Sequence, residues 1–480
     1  MNKRHLSPFV LAATLAISGC ASLEPDLPAT DAAIPAVWPL PPASGSNADQ
    51  AAAAAAATSS PAEQAVADIG WRDFFIDPKL EELIARSLEN NRDLRVAVLN
   101  VERARAQYRI QRADRFPSVG VNAAVSRGST TPTSPGDLYS VSLGIAAFEL
   151  DLFGRVQNLS QAALQQFFAQ EQARRSVQLS LIAEVANVYL TLAADMEAQR
   201  IAQATLDSQQ AAFNLIEKRH ELGAVSGLDV SQAQTTVETA RADMARFAGQ
   251  IATDVNALTL LTGAPVEQSM LPVKFDLGVS GLHALPAQLP SQILLRRPDV
   301  LQAEYQLRSA NANIGAARAA FFPSISLTGS VGTASTELSG LFDSGTRIWS
   351  FVPQMNLPIF QGGRLRGNLG AATADRDIAV ARYERSIQAG FREVADALAL
   401  TRTLADRRLA QERLVSAAGR THTLSQARYD RGQDSFLNLL DAQRTLYAAQ
   451  QGLIDAQLAE QGNRVTLYKV LGGGWTEAGQ

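Results

Sequence analysis

The sequence predicts a mainly α-helical fold with a membrane β-barrel wall, written as a duplicated helix–hairpin–helix unit. Three observations carry this prediction. The first is a repeat: Gly223, Ser226, Leu228 and Gln234 fall on Gly432, Ser435, Leu437 and Gln443 at an offset of 209 positions, and Pro117-Ser118 falls on Pro323-Ser324 at 206. The second is the absence of proline between Pro135 and Pro265 and again after Pro358, which leaves room for unusually long helices. The third is a change of hydrophobic period, from helical to two, after Phe116-Pro117 and again after Phe322-Pro323.

Taken in order, residues 1–19 read as a leader peptide: Lys3 and Arg4, an apolar run from Phe9 to Ile17 too short to span a bilayer, then Ser18-Gly19-Cys20. Cys20 is the one cysteine of the chain, so a disulfide framework is excluded. Residues 20–70, rich in proline and alanine and including the run Ala51–Ala57, read as a linker. A short helix is expected from Lys79 to Leu88, ended by Asn90-Asn91, followed by a longer one from Asp93 to Arg115.

Beyond Pro117, Val119, Val121, Ala123 and Val125 alternate with Gly120, Asn122, Ala124 and Ser126. After a Thr/Pro/Gly loop, Val141, Leu143, Ile145 and Ala147 resume the alternation, which gives a hairpin over about 117–150. A second hairpin is expected over about 323–358, where Ile325, Leu327, Gly329 and Val331 face away from Ser324, Ser326, Thr328 and Ser330. Trp349, Phe351, Met355 and Leu357 then oppose Ser350, Gln354 and Asn356. Strands of about ten residues, apolar on one side, fit a transmembrane barrel wall and equally a soluble half-buried sheet. Four strands with no second sheet to pack on, against the roughly eight that a membrane barrel needs, point to a barrel shared between copies.

Each hairpin leads into a long helix; the first, from Phe153 to Leu222, would run about 105 Å at 1.5 Å per residue. Gly223 and Gly432 can take the left-handed conformation that ends such a helix, and Ser226 and Ser435 can cap the next. The return helix from Ser226 to Leu261 covers about 54 Å and Asp93 to Arg115 about 35 Å, a shortfall of about 15 Å that predicts irregular chain between two stacked short helices. Val237, Ala240, Met244, Phe247, Ile251, Leu258 and Leu261 follow steps of three, four and seven, the pattern of coiled packing. The expected organisation is two repeats, 71–263 and 298–472, joined by a proline-rich segment, 264–297, and closed by a tail, 473–480.

Without the leader the chain holds 41 basic against 47 acidic residues, a formal charge of −6 with no basic stripe for nucleic acid. The remaining histidines, His220, His283 and His422, have no metal-ligand spacing. There is no glycine-rich phosphate loop, nucleophile elbow or cysteine nucleophile. No enzyme, metal or cofactor is therefore expected.

Several stretches taken together resemble the outer membrane factors, the TolC-like exit ducts, and in particular the OprM/NodT-type lipoproteins. They are the doubled plan itself, Leu294-Leu295-Arg296-Arg297-Pro298-Asp299 leading into Ala303-Glu304, Gly315-Ala316-Ala317-Arg318-Ala319 before Phe322-Pro323, and Leu440-Asp441-Ala442-Gln443. The ending Ile17-Ser18-Gly19-Cys20 resembles a bacterial lipoprotein signal, and Ala21 after it resembles a signal for outer-membrane sorting. The resemblance covers the chain from Trp71 onward. It implies a palmitate-type acyl anchor on Cys20 and a homotrimer whose copies each give four strands to one twelve-stranded outer-membrane barrel, continued by a periplasmic α-helical barrel.

It further implies docking onto a periplasmic adaptor and an inner-membrane pump of the resistance–nodulation–division (RND) type, with passive exit of drugs or other small toxic molecules. A duct for type I protein secretion and a non-conducting lipid-anchored scaffold are the alternatives. The resemblance also places a periplasmic gate at Asp441 and Arg444 on the helix after the second turn. Asn438 stands where TolC has a second Asp, and Asp229 matches a further gate contact whose arginine partner is replaced here by Asp434. At the turns themselves, Gly223, Ala224, Val225, Gly432 and Gln433 are the candidates for contact with the adaptor.

Overall fold

The computed structural model of the chain describes residues 22–29, 34–35, 38, 70–131, 134–273, 275 and 291–473. Its elements are α1 (Trp71–Phe74), α2 (Pro78–Asn90), α3 (Arg92–Ala113), β1 (Val119–Thr131), β2 (Ser134–Leu150), α4 (Arg155–Glu221) and α5 (Gly227–Thr262), followed by α6 (Pro298–Ala319), β3 (Ser324–Ser335), β4 (Arg347–Asn356), α7 (Arg364–Asp430) and α8 (Phe436–Val470). The leader, Cys20, the Ala51–Ala57 run, His283 and the end of the tail lie outside the described residues. From α3 on, one order of elements occurs twice, and both long helices, α4 and α7, contain 67 residues. At 1.5 Å per residue each is about 100 Å long.

The chain divides into two compact units, each assembled from separated stretches. One comprises Leu99–Gln172 and Leu301–Ser386 with the first 32 residues, and it holds the sheet. β1 to β4 form a single antiparallel sheet in chain order, so the two hairpins join along β2 and β3. The register places Val121, Leu143, Val331 and Trp349 in one row, and Ala124, Ser140 and Ala334 in another. Because directly paired residues share a face, one side is dominated by Val, Ile, Leu, Tyr, Phe and Trp, interrupted by Gly329, Thr333, Ser335 and Arg347, and the other by Ser, Thr, Gly and Asn. A bulge between Ile145 and Phe148 shifts the pairing of β2 with β3, and there Ala147 takes a φ of 49°, with its N–H donating to Thr328 Oγ1 at 3.1 Å.

Below the sheet in this unit, Ala162, Ala169, Leu307, Ala312 and Ile314 are buried, and Ser309 donates to the Ala162 carbonyl at 2.9 Å. The strap of residues 22–25 is held on the same helices. Ser22 donates to Asn158 Oδ1 at 2.8 Å, and Asn311 Nδ2 donates to Glu24 Oε1 and the Pro25 carbonyl at 3.0 and 2.7 Å.

The second unit comprises Ala33–Val98, Ala173–Val300 and Ile387–Gln480. Buried in it are Trp71 and Phe74 of α1, Phe75 just after it, Leu80, Leu83 and Ile84 of α2, and also Ile182, Val185, Tyr189, Leu192 and Tyr468. Phe74 stacks on Tyr468 at 3.9 Å between ring centres. Asp77 serves two ends, since Oδ1 caps α2 by accepting from the Lys79 N–H and Oδ2 accepts from Tyr189 Oη, both at 2.8 Å.

The expected irregular chain between the stacked short helices is absent where their ends meet. Asn91 Oδ1 accepts from the Leu94 N–H at 3.0 Å and so caps α3, while Asn91 Nδ2 donates to the Leu261 carbonyl at 3.0 Å and closes α5. One amide satisfies an orphan donor of one helix and an orphan acceptor of another, which removes the need for a spacer. In the second half Arg297 Nη1 donates to the Val470 carbonyl at 2.7 Å. Residues 297 and 470 lie 206 and 209 positions after 91 and 261, the offsets that relate the two halves of the sequence. The same helix-end junction is thus made by different chemistry in each half.

Candidate gate and docking turns

The turns after α4 and α7 have one backbone. Gly223 and Gly432 sit at φ 73° and 70°, where a side chain would be strained. The Gly223 and Ala224 N–H groups donate to the His220 and Arg219 carbonyls, and those of Gly432 and Gln433 to the Tyr429 and Arg428 carbonyls, all at 2.8 to 2.9 Å. This is a Schellman closure in both cases. Ser226 and Ser435 cap the following helices by accepting from the Asp229 and Asn438 N–H groups at 3.3 and 3.4 Å.

Side chains at the two turns differ. Asp229 completes a capping box, its Oδ2 accepting from the Ser226 N–H at 3.0 Å and from Ser226 Oγ at 2.7 Å. Asn438, the equivalent residue 209 positions on, turns its amide to Asp434 instead. Asp434 also accepts from Arg428 Nε at 3.2 Å across the turn. The hydrogen bond from Asn438, helped by the one from Arg428, holds the Asp434 carboxyl below the usual Asp range. Asp434 therefore has partners within its own turn, and the charge reversal noted in the sequence is absorbed there.

Ile216, Ala233, Phe436 and Leu440 form a small buried core that joins the two turns, with Phe213, Val225, Val230 and Tyr429 packed on it. Arg219 Nη1 donates to Tyr429 Oη at 2.9 Å and its guanidinium lies 5.6 Å from the centre of that ring, which ties α4 to α7. Further along, Gln209 donates to Gln443 Oε1 at 2.9 Å and accepts from Thr236 Oγ1 at 2.9 Å. With Phe436 and Leu440 turned into the core, Asp441 and Arg444 lie on the outer face of α8, both exposed. Among the described residues neither has an ion pair, and in particular they do not pair with each other.

Of the docking candidates, Gly223, Ala224, Gly432 and Gln433 are exposed, whereas Val225 is half-buried against the core and its carbonyl lies 2.9 Å from His220 Nδ1. The sequence reading missed Leu222, Leu228 and Leu437, which are 84%, 66% and 52% exposed beside the turns. The signal for the latter two was present, because Leu228 and Leu437 coincide in the repeat. It also left Tyr429 and Arg219 without a role.

The family model described as "Outer membrane efflux protein" matches residues 83–264 and 289–473. The chain is 46% identical over 484 residues to the antibiotic efflux pump outer membrane protein ArpC of Pseudomonas putida, covering 99% of this chain and 97% of that one. It is equally 46% identical over 484 residues, with the same coverage, to the toluene efflux pump outer membrane protein TtgC of Pseudomonas putida. Among solved structures, the open state of the MtrE outer membrane channel of Neisseria gonorrhoeae aligns with a TM-score of 0.85 at 38% identity, covering 95% of this chain and 99% of that chain.

Proposed function

Because the chain belongs to the outer membrane efflux protein family, we propose that it is the exit duct of a three-part pump, closed at rest by the turns of its long helices. Its place is the outer membrane and its role is efflux. Three copies would join their four-stranded sheets into one twelve-stranded barrel, with the apolar face toward lipid and the polar face toward the lumen. The observation that carries this reading is the sheet itself: four strands, one apolar face and two open edges, β1 and β4. An even number of strands lets β4 of one copy meet β1 of the next antiparallel, so every seam repeats the pairing within the chain.

The helices would extend into the periplasm and present the turns to an adaptor that recruits an RND-type inner-membrane pump. Gly223, Ala224, Gly432 and Gln433, with the exposed leucines beside them, are the contact surface; Val225 supports it from the core. An acyl chain on Cys20 would anchor the mature N-terminus. Relatives named for toluene and antibiotic efflux suggest a cargo of small, mostly apolar toxic molecules. Conduction is passive and involves no chemistry on the cargo.

At the mouth, Asp441 and Arg444 serve as the gate. Each is exposed and, among the described residues of its own chain, without an ion pair, so each is available to a neighbouring copy, where a charge-assisted hydrogen bond near a narrow axis would hold the turns together. Asn438 and Asp229 act at one remove, by fixing the start of the helices that carry the mouth. Single-channel conductance in a planar bilayer tests this. The parent protein should be nearly closed and the double variant Asp441→Ala, Arg444→Ala should conduct several-fold more as one unit. A double variant that inserts and stays closed would remove the gate from these residues, and an inserted protein that never conducts, even with both turns loosened, would favour the scaffold reading.

A further inference from the structure

We propose that the junction of sheet and helices is a binding site for anionic phospholipid, held in the seam where one copy of the chain meets the next. This rests on the closed-barrel reading above. The last turn of α3 carries Arg112, and Arg115 follows two residues after the helix ends, just before β1; α7 begins with Arg364 and Arg366, after β4. All four are exposed. Among the described residues Arg112, Arg115 and Arg366 have no carboxylate partner, and Arg364 donates only to its own Gln361, at 2.7 and 3.1 Å. The first turn of α7 contains no acidic residue to offset the helix dipole. In a chain with more Asp and Glu than Lys and Arg, this is a local reversal of sign.

The arginines sit at the two open edges of one sheet and at the same end of it. Joining β4 to the β1 of a second copy would bring Arg364 and Arg366 alongside that copy's basic helix end. Four guanidinium groups would then share one level with Asp114 as the acidic residue between them in sequence, within the roughly 10 Å over which charges interact in dilute salt. A bridging anion turns that repulsion into attraction, and arginine grips a phosphodiester with two parallel hydrogen bonds. The neighbours indicate which anion. Phe116, Ile359 and Phe360, immediately beside the arginines, are 64%, 90% and 89% exposed, and aromatic and aliphatic groups mixed with arginine are the composition of a membrane interface. A cavity of about 320 Å³ is bordered by Arg364, Asn368, Phe322 and Leu365 together with Glu149 and Asp151, whose carboxylates are taken up by Arg155 and by the Gln157 N–H, and it offers room for a headgroup with the root of its acyl chains. The site thus matches a phospholipid of the periplasm-facing leaflet.

The test uses the full protein in nanodiscs of phosphatidylethanolamine with and without phosphatidylglycerol, compared with the triple variant Arg112→Gln, Arg115→Gln, Arg366→Gln. Native mass spectrometry of the parent oligomer should retain phosphatidylglycerol over phosphatidylethanolamine at least about fivefold, the ratio one basic side chain gains at an anionic surface. Phosphatidylglycerol should raise the temperature at which the parent oligomer dissociates, and the rise should vanish in about 0.5 M salt and in the triple variant. An oligomer of unchanged mass with unchanged helical circular dichroism in neutral nanodiscs shows that the variant has folded. Equal retention of the two lipids by intact parent oligomers overturns the site and leaves the barrel standing. A variant whose oligomer falls apart in every bilayer shows that the arginines pair with the neighbouring copy, which also overturns it. A parent that forms no oligomer in either bilayer overturns the closed-barrel reading and the site together.

Discussion

Asn91 and Arg297 occupy equivalent places and close equivalent helix ends, yet their removal should cost different amounts. Asn91→Ala loses a helix cap and leaves the Leu261 carbonyl unpaired, a loss of about 1–2 kcal/mol. Arg297 is 7% exposed and its guanidinium also binds Asp299 and Glu393, at 2.7 and 2.8 Å. Arg297→Met should cost about 2–3 kcal/mol, since it leaves the Val470 carbonyl unpaired and removes the partner of two carboxylates that keep some contact with water, and Arg297→Lys should not fully restore it. Thermal unfolding of the three variants in detergent checks the order. A different balance holds at Asp254, pushed up to about 6 by burial and then by its neighbour Asp195, with Asp455 adding to the negative charge around Asp195 and Arg246 reducing it. Its folded pKa exceeds the ordinary 3.8, so folding binds the proton more tightly. Stability is then full below about pH 4, falls as pH climbs through 6, and stays lower above it. Asp254→Asn should stabilise the protein at pH 7.5 by about 1 kcal/mol, allowing for solvent access, and flatten that part of its melting profile between pH 4.5 and 7.5. At this scale the sequence was only partly legible. Arg297-Pro298-Asp299 reads as an ordinary helix start because nothing local reveals that Arg297 reaches a carbonyl 173 positions away.

Elements were easier to read than their contacts. The proline-free run from Phe153 to Leu222 brackets α4 closely, because a proline would have removed a helical hydrogen bond anywhere within it. Asn90-Asn91 marks the break between α2 and α3, but its second task of closing α5 depends on a partner 170 positions distant. Period-two alternation located all four strands and their polar and apolar faces. It could not reveal that β2 pairs with β3, since pairing between the halves leaves no local trace, nor the bulge at Ala147. That long-range pairing can be tested at Gly332, where any Cβ would fall on the Val141 carbonyl of β2. Gly332→Val should separate the two hairpins. The helical circular dichroism would persist while the oligomer is lost; an intact oligomer would show that the β2–β3 contact is dispensable.

For the whole molecule, the inability of four strands to close a barrel was visible in the sequence, whereas the number of copies came from resemblance alone. Cysteines introduced at the free edges of β1 and β4, in a chain whose natural cysteine precedes the described residues, should cross-link under oxidation into a ladder that ends at three copies. A ladder ending elsewhere would give the duct another bore. The turns add a consequence of their own. Their backbones are alike, so a three-copy duct would present six nearly equivalent loops; their side chains alternate between Leu222-Gly223-Ala224-Val225 and Arg431-Gly432-Gln433-Asp434. A docking protein sliding around the rim by one loop would meet oil where it expected charge. Only a step of two loops would restore the fit, so the alternation would serve as an index mark that selects three equivalent orientations and rejects the three between them.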